Sequence, residues 1–175
     1  MKSWNSSVAA VCTVAGVVGL LTVAGCGSDT VDQSKVEQGI ESSSLATSTT
    51  EITSASCPDD VKKEKGGTFT CDVKLSGGGK AKVTIKQTSN HNTFSYAFKP
   101  GSVVLSGSTV DEQLEEDLAN AGVKGAQVNC PSSVPVKPDT PVTCPITLAS
   151  GAQATVTFQF SSASGAIDSS SVETS

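Results

Sequence analysis

The stretch Cys57-Pro58-Asp59-Asp60-Val61, followed by Thr70-Cys71, decides the fold of this chain because it occurs twice. The second copy reads Cys130-Pro131-Ser132-Ser133-Val134, followed by Thr143-Cys144, and the two cysteine pairs enclose segments of equal length (58–70 and 131–143). The register then continues without a gap, since Leu75, Gly78, Ala81, Val83 and Thr84 correspond to Leu148, Gly151, Ala154, Val156 and Thr157. A repeat at a fixed period indicates one fold unit used twice.

The segment 1–25 has the pattern of an export signal, in which Lys2 precedes an apolar run over 8–23. Such a run is too short and wrongly flanked for a spanning helix, and it is removed on export. Its end, Val23-Ala24-Gly25-Cys26, resembles a bacterial lipobox. That resemblance implies cleavage before Cys26, a diacylglycerol thioether on its sulfur and acylation, for example with palmitate, of the new amino end. The alternative is ordinary secretion with an unmodified cysteine.

The mature chain, from Cys26 onward, contains 11 Lys, no Arg and 17 acidic residues, so its net formal charge is 11 − 17 = −6 with the amine acylated. Bidentate recognition of phosphate and guanine relies on the guanidinium group of arginine. We therefore expect no nucleic-acid partner. The mature chain also lacks Trp and Met, which predicts a small aliphatic core.

A short helix is predicted before the first Cys-Pro. Ser34 and Glu37 have the spacing of a capping box, and Val36 and Ile40 share one helix face. Gly39 weakens this helix.

The second helix has a stronger pattern. We expect Ser108 or Thr109 to cap it and Gly122 to end it as the C′ residue. Acidic residues in its first turns suit the helix dipole. Its apolar stripe is formed by Val110, Leu114 and Leu118.

Alternating apolar and polar positions predict half-buried strands after each helix. A short strand carries the first cysteine, and two longer strands follow, joined by turns at 76–79 and 149–151. A fourth strand is predicted over 93–98, with a weaker counterpart over 166–172.

The predicted fold class is therefore α+β: two tandem small units, each with one helix packed on a three- to four-stranded antiparallel sheet and stapled by one disulfide. The predicted boundaries are a signal peptide (1–25), a lipid-anchored tether (26–33), the first unit (34–100), a flexible linker (101–107) and the second unit (108–175). Within the linker, Val103 to Leu105 could alternatively extend a strand.

The four repeat cysteines are interpreted as two disulfides. Four cysteines allow three connectivities, and the repeat selects Cys57–Cys71 and Cys130–Cys144 because each unit should be complete in itself. Export to an oxidising compartment favours this interpretation. The alternative, a zinc site or redox pair, usually has cysteines closely spaced along the chain, which neither copy shows.

Residues for catalysis are not evident. His91 is the single histidine and lies in a turn-like sequence, and no Gly-x-Ser-x-Gly nucleophile elbow occurs. Asp59 and Asp60 suggest a cation site, but serines replace them in the second copy, and Asp after Pro is common turn chemistry. We expect no enzymatic activity, no cofactor and no metal.

Charge is distributed unevenly between the units. Residues 34–100 carry 9 Lys and 7 acids (net +2), whereas residues 108–175 carry 2 Lys and 8 acids (net −6). Three explanations are open: two solvated faces, docking of the first unit on the second, or docking of the first unit on an anionic envelope surface. The outward lysines of the first hairpin are Lys74, Lys80, Lys82 and Lys86, and the acids of the second helix are Asp111, Glu112, Glu115, Glu116 and Asp117.

The serine- and threonine-rich run over 42–56 has low complexity. It is compatible with a loose loop or with O-glycosylation, and the sequence does not decide between them.

The order of helix, Cys-Pro, Thr-Cys strand, glycine turn and Val-Thr strand resembles domain of unknown function 4333, a family of small exported or lipid-anchored domains that are mostly actinobacterial. Both units match, and the resemblance implies no activity. The first unit matches at Val36, Cys57-Pro58, Val61, Phe69-Thr70-Cys71 and Val83-Thr84. The second matches at Val110, Cys130-Pro131, Val134, Thr143-Cys144 and Val156-Thr157, with Val142 where Phe is usual.

The sequence therefore predicts a lipoprotein on the extracytoplasmic face of the cell membrane, with two non-catalytic binding units. Its expected partners are the membrane, through lipid on Cys26, and envelope proteins or anionic polymers. The alternative is a carrier that holds an apolar lipid or glycolipid between helix and sheet, where the small residues Gly78, Ala81 and Ala154 would leave room.

The lipid prediction is tested directly at Cys26. Wild-type protein from membranes should carry acyl mass and partition into detergent, whereas Cys26→Ala should give an unprocessed or soluble form, because the thioether requires the cysteine sulfur. Intact-protein mass spectrometry measures both. Mature wild-type protein with an unmodified Cys26 would contradict the prediction.

Overall fold

A computed structural model describes residues 29–47, 49–89 and 91–174. The signal segment, Cys26 and the predicted lipobox therefore lie outside the described residues. The helices of the described part are α1 (Gln33–Glu41) and α2 (Gly107–Asn120). Its strands are β1 (Ile52–Ser56), β2 (Thr68–Leu75), β3 (Lys80–Gln87), β4 (Phe94–Phe98), β5 (Val104–Ser106), β6 (Gln127–Val128), β7 (Ser133–Pro135), β8 (Val142–Thr147), β9 (Gln153–Phe160) and β10 (Ile167–Thr174).

The strands form two antiparallel sheets, which confirms the α+β class. The first sheet has the order β1-β2-β3-β5-β7, with β4 also paired to β3, and the second has the order β10-β9-β8-β6. The predicted apolar stripes are buried: Val36 and Ile40 on α1, and the three stripe residues of α2. Buried residues of both units belong to one continuous hydrophobic cluster.

The predicted helix caps are wrong by two or three positions. Asp32 caps α1 by accepting a hydrogen bond from the Lys35 backbone N–H, and Ser106 caps α2 by accepting one from Thr109. The caps are equivalent in the repeat, because each directly precedes the first residue of its helix, Gln33 or Gly107.

The end of α2 is as predicted. Gly122 has a positive φ of 94°, which glycine adopts without a steric penalty. The N–H groups of Gly122 and Val123 then donate to the carbonyls of Ala119 and Leu118, the pattern of a Schellman motif.

In both units, helix carboxylates bind the backbone of the strand that carries the first cysteine. Glu37 and Glu41 accept hydrogen bonds from the N–H groups of Cys57 (2.9 Å) and Ala55 (3.1 Å). These bonds occupy the free edge of β1, which would otherwise present unpaired donors.

The second unit repeats this arrangement. Asp111 and Glu115, also one helical turn apart, accept from Cys130 (2.7 Å) and Val128 (2.8 Å). Each carboxylate therefore fixes the position of its helix on the sheet.

A second repeated feature is an extended segment before each helix that pairs with the segment after each Cys-Pro. In the first unit Thr30 bridges Lys62, and the Val31 N–H donates to the Val61 carbonyl (2.7 Å). The counterpart in the second unit is the pairing of β5 with β7.

The segment 101–107, expected to be a flexible linker, instead contains β5. This strand pairs with β7 of the second unit, and through Lys80 and Val104 it also pairs with β3 of the first. Val103 and Leu105 are each 1% exposed. Their burial explains the difference. Alternating apolar side chains that are buried on one face favour a strand, although the glycine and serine residues around them suggest a loop.

The serine- and threonine-rich run is not a loose loop where the structure describes it. Thr49 and Thr50 are 1% and 0% exposed. The Thr49 hydroxyl donates to the carbonyl of Gly165 in the second unit (2.8 Å), and the Thr50 hydroxyl lies 2.7 Å from that of Thr47. A glycan on Thr49 or Thr50 is incompatible with this packing.

Gly39 has a packing role that offsets its low helix propensity. A Cβ at this position would overlap the hydroxyl group of Tyr96, whose ring packs against α1 from β4. Burial raises the pKa of Tyr96 above its usual value.

Substituting Gly39 tests this contact. Gly39→Ala should destabilise the protein by about 1–3 kcal/mol, the usual cost of overpacking, although alanine alone would favour the helix by about 1 kcal/mol. In a Tyr96→Phe background the same substitution should cost less, because the overlapping oxygen is gone. Urea unfolding of the four proteins of this cycle measures the difference. Equal costs in both backgrounds would show that Tyr96 does not set the requirement for glycine.

Asp111 permits a test of the helix–strand hydrogen bonds. Burial, with smaller contributions from Glu115 and Glu112, raises the pKa of Asp111, and the bond from Cys130 opposes this shift. Because the folded pKa lies above the unfolded one, ionisation of Asp111 opposes folding above the folded pKa. This opposition disappears as the pH falls below the unfolded pKa.

Asp111→Asn, which keeps an acceptor oxygen, should therefore leave stability at neutral pH unchanged or increased. Its advantage over wild type should vanish at acidic pH. Asp111→Ala should cost about 1–3 kcal/mol because the Cys130 N–H loses its partner. Urea titrations across pH measure both. Equal stability of the two variants at neutral pH would contradict the assigned hydrogen bond.

Candidate functional site

The structure confirms both predicted disulfides. Cys57–Cys71 and Cys130–Cys144 have Cα–Cα distances of 4.3 and 4.7 Å. All four cysteines are buried, so the bridges join each short cysteine strand to the sheet rather than present a reactive sulfur. Closing a loop of this length stabilises a fold by about 3 kcal/mol in the chain-entropy treatment.

The predicted lysine face exists on the outer side of the first sheet. Along β2 and β3, buried side chains alternate with exposed ones, and Lys74, Lys80, Lys82 and Lys86 are all exposed. The alternation follows from the pleat, which directs successive side chains to opposite faces. These four residues form the lysine face.

Three of the four lysines surround a groove of about 480 Å³. Lys86 is not among its lining residues, because it lies near the opposite end of β3. The groove is lined by Ser54, Ser56, Asp72, Val73, Lys74, Lys80, Ala81, Lys82 and Ser102.

Two adjacent cross-strand pairs give the groove its charge. Asp72 lies opposite Lys82, and its carboxylate is 2.6 Å from the Lys82 ammonium. Lys74 lies directly opposite Lys80. Among the described residues, neither Lys74 nor Lys80 has an ion-pair partner. Three lysines and one aspartate give the groove a formal charge of 3 − 1 = +2.

The second unit carries no such charge at the equivalent positions. When Cys57 is aligned with Cys130, the four members of the lysine face correspond to Thr147, Gln153, Thr155 and Gln159. The strand pairing is otherwise equivalent, since Thr147 lies opposite Gln153 as Lys74 lies opposite Lys80. The basic face is therefore specific to the first unit.

The lysine face forms no ion pair with the acidic helix in the part of the chain that the structure describes. Lys82 instead pairs with Asp72 of its own hairpin. Helix α2 instead faces the hairpin turn of the first unit and Glu51 across a cavity of about 430 Å³ that also includes Glu112 and Glu116.

The other chemical candidates are dispersed. His91 is exposed, and its backbone N–H donates to the Ser89 hydroxyl (3.1 Å). Asp59 and Asp60 are exposed in a turn in which Asp60 has a φ of 58°. Within residues 29–47, 49–89 and 91–174, no group of three or more His, Cys, Asp or Glu side chains is placed to hold a metal ion.

The residues expected to leave room for an apolar ligand lie in the packed core or in a surface turn. Ala81 and Ala154 are each 4% exposed and belong to the packed core. Gly78 lies in the hairpin turn beside a surface groove of about 500 Å³.

The helix carboxylates that bind the cysteine strands were not predicted from the sequence. The signal was present, because Glu37 and Glu41 correspond to Asp111 and Glu115 when the first residues of the two helices are aligned. Alignment on the cysteines instead displaces the helices by one position. If one numbering difference between the two copies is applied to the whole unit, the carboxylates therefore do not align.

The family profile described as a domain of unknown function, DUF4333, matches residues 15–91 and 94–165. The chain therefore belongs to this family and contains two tandem copies of its domain. No curated protein and no solved structure matches the chain. Over the residues that the structure describes, neither helix has the length and apolar composition needed to cross a membrane.

Proposed function

We propose that this protein is a membrane-anchored cell-envelope lipoprotein with two non-catalytic binding units, and that its lysine face binds the anionic surface of the membrane that holds it. The observation that carries the proposal is the exposed lysine face, which is basic in the first unit and neutral at the same positions of the second. Lysines near an anionic membrane each contribute about 1 kcal/mol of attraction.

The position of Asp29, three residues after Cys26, supports this proposal. The Lys63 N–H donates to the carbonyl of Asp29 (2.7 Å), so the chain is already paired with the body of the first unit at Asp29. Three residue steps separate Asp29 from Cys26, which limits their distance to about 11 Å. A lipid on Cys26 would therefore hold the first unit against the headgroups, closer than a free tether over 26–33 would.

Asp29, three residues after Cys26, lies beside one end of the lysine face. Gln87, at the end of β3, binds both the Lys62 carbonyl (2.9 Å) and the Glu64 N–H (3.0 Å) in the loop that pairs with Asp29 and Thr30. Lys86 is thus near Asp29, and Lys80 lies about 20 Å further along the strand. Contact of all four lysines requires the hairpin to lie along the membrane plane, which a short anchor at one end permits.

Vesicle flotation tests the proposal without the lipid. A chain that begins at residue 27 retains every residue that the structure describes. It should float with phosphatidylglycerol-containing vesicles at low salt and less at high salt, because exposed charges are screened. A variant with all four lysines of the lysine face changed to Gln should lose binding.

A matched variant controls for net charge. Lys35, Lys99, Lys124 and Lys137 are exposed and lie outside the lysine face, so their replacement by Gln removes the same charge and should weaken flotation much less. Equal losses in the two variants, or no flotation of the wild-type chain, would contradict the proposal. If the chain bound an anionic polymer but not the vesicles, the lysine face would have a different partner. This result would also contradict the proposal.

A further inference from the structure

We propose that the groove of the lysine face is a binding site for a phosphate group, held between Lys74 and Lys80 and bonded by the hydroxyls of Ser54 and Ser56. This inference rests on the proposed function and deepens it, because it names a ligand group for the same surface. A phosphate site also differs from general electrostatic attraction, because it requires particular residues in the groove.

The pairing of Lys74 with Lys80 is the first observation. Like charges directly opposite one another on neighbouring strands oppose sheet formation. The next pair along the same strands, Asp72 and Lys82, shows the ordinary solution, a salt bridge of 2.6 Å. Lys74 and Lys80 lack this compensation within the described residues. An anion between them would supply it.

Unused hydroxyl groups are the second observation. Ser54 lies opposite Lys74, and Ser56 lies opposite Asp72, on the neighbouring strand β1. Both line the groove, and neither hydroxyl has a hydrogen-bond partner among the described residues. Ser102, on the other side, is already engaged, since its hydroxyl oxygen accepts from the Lys82 N–H (3.1 Å).

These donors favour phosphate over a planar carboxylate. Ammonium groups act as point charges that do not impose the forked geometry of arginine. A tetrahedral phosphate presents several acceptor oxygens, so it can accept from separated lysines and serines at once. The volume of about 480 Å³ exceeds that of a phosphate ion, which leaves room for the glycerol or sugar that carries the phosphate.

The Asp72 carboxylate also lines the groove. Its salt bridge with Lys82 compensates its charge, so it does not oppose an anion beside Lys74 and Lys80. The equivalent pair in the second unit, Thr147 and Gln153, lacks charge, and we expect no phosphate site there.

Amide chemical shifts test the site with soluble probes. The chain from residue 27 is titrated with inorganic phosphate and with glycerol phosphate at constant ionic strength, and with acetate as the carboxylate control. The two phosphates should shift the amides of Ser54, Ser56, Lys74 and Lys80, and acetate should shift them much less. Equal responses to acetate, or phosphate shifts spread over all exposed lysines, would overturn the inference.

Two double variants that remove the same charge distinguish a defined phosphate site from general electrostatic attraction. Lys74→Gln with Lys80→Gln should weaken phosphate binding by at least about tenfold, since each lysine contributes about fivefold. Lys124→Gln with Lys137→Gln, both exposed and outside the lysine face, should change it by less than about twofold. Equal losses would overturn the inference. Ser54→Ala with Ser56→Ala should also weaken phosphate binding, although no charge is removed.

Flotation of the same proteins distinguishes the two proposals and the source of the phosphate. A wild-type chain that floats but shows no phosphate shift in the groove retains the proposed function and overturns the site. A chain that binds soluble phosphate in the groove but does not float retains the site and overturns the membrane surface. If the groove variant also floats much less than the Lys124 and Lys137 variant, the phosphate is that of a lipid headgroup.

Discussion

The structure depends on β5, a short strand that belongs to both units. One edge pairs with β7 of the second unit, and Val104 pairs with Lys80 of the first. Val103 and Leu105 are almost completely buried, so separation of the units would expose apolar surface. Two domains of this size have little core of their own, and the shared strand lets them bury one continuous cluster instead.

This arrangement determines which surfaces are left for binding. Because the units join along β5, the outer side of β2 and β3 stays open, and the acidic helix turns toward the hairpin end of the first unit. Among the described residues, the charge asymmetry seen in the sequence does not produce an ion pair between the lysine face and the acidic helix. It leaves a basic groove and an acidic cavity on different parts of one body.

Local patterns in the sequence predicted much of this fold. Alternation and turn residues placed the long strands, the repeat identified the disulfide partners, and apolar spacing identified the buried faces of both helices. The lysine face followed from the same alternation. The role of β5 in joining the two units did not follow, because so short a segment bounded by Gly101 and Gly107 fits a linker as well as the extension of a strand.

Other features escaped prediction because they depend on contacts distant in sequence. Ser34 and Glu37 fit a capping box, but Glu37 is bound to Cys57, and Asp32 provides the cap. Thr49 looks like part of a polar loop until it meets Gly165. The groove combines residues of three strands and a turn, and a linear pattern shows the lysines without showing that two of them oppose each other unpaired.

The completion of the first sheet by β7 has a consequence for the order in which an exported chain can fold. If the chain crosses the membrane from its N-terminus, β5 emerges before its partner β7, and Thr49 emerges long before Gly165. Until then the first unit presents an open strand edge and unburied valine and leucine side chains, features that promote aggregation. The two copies of the repeat therefore do not fold as independent domains. The first unit completes its fold only after the second unit has been exported.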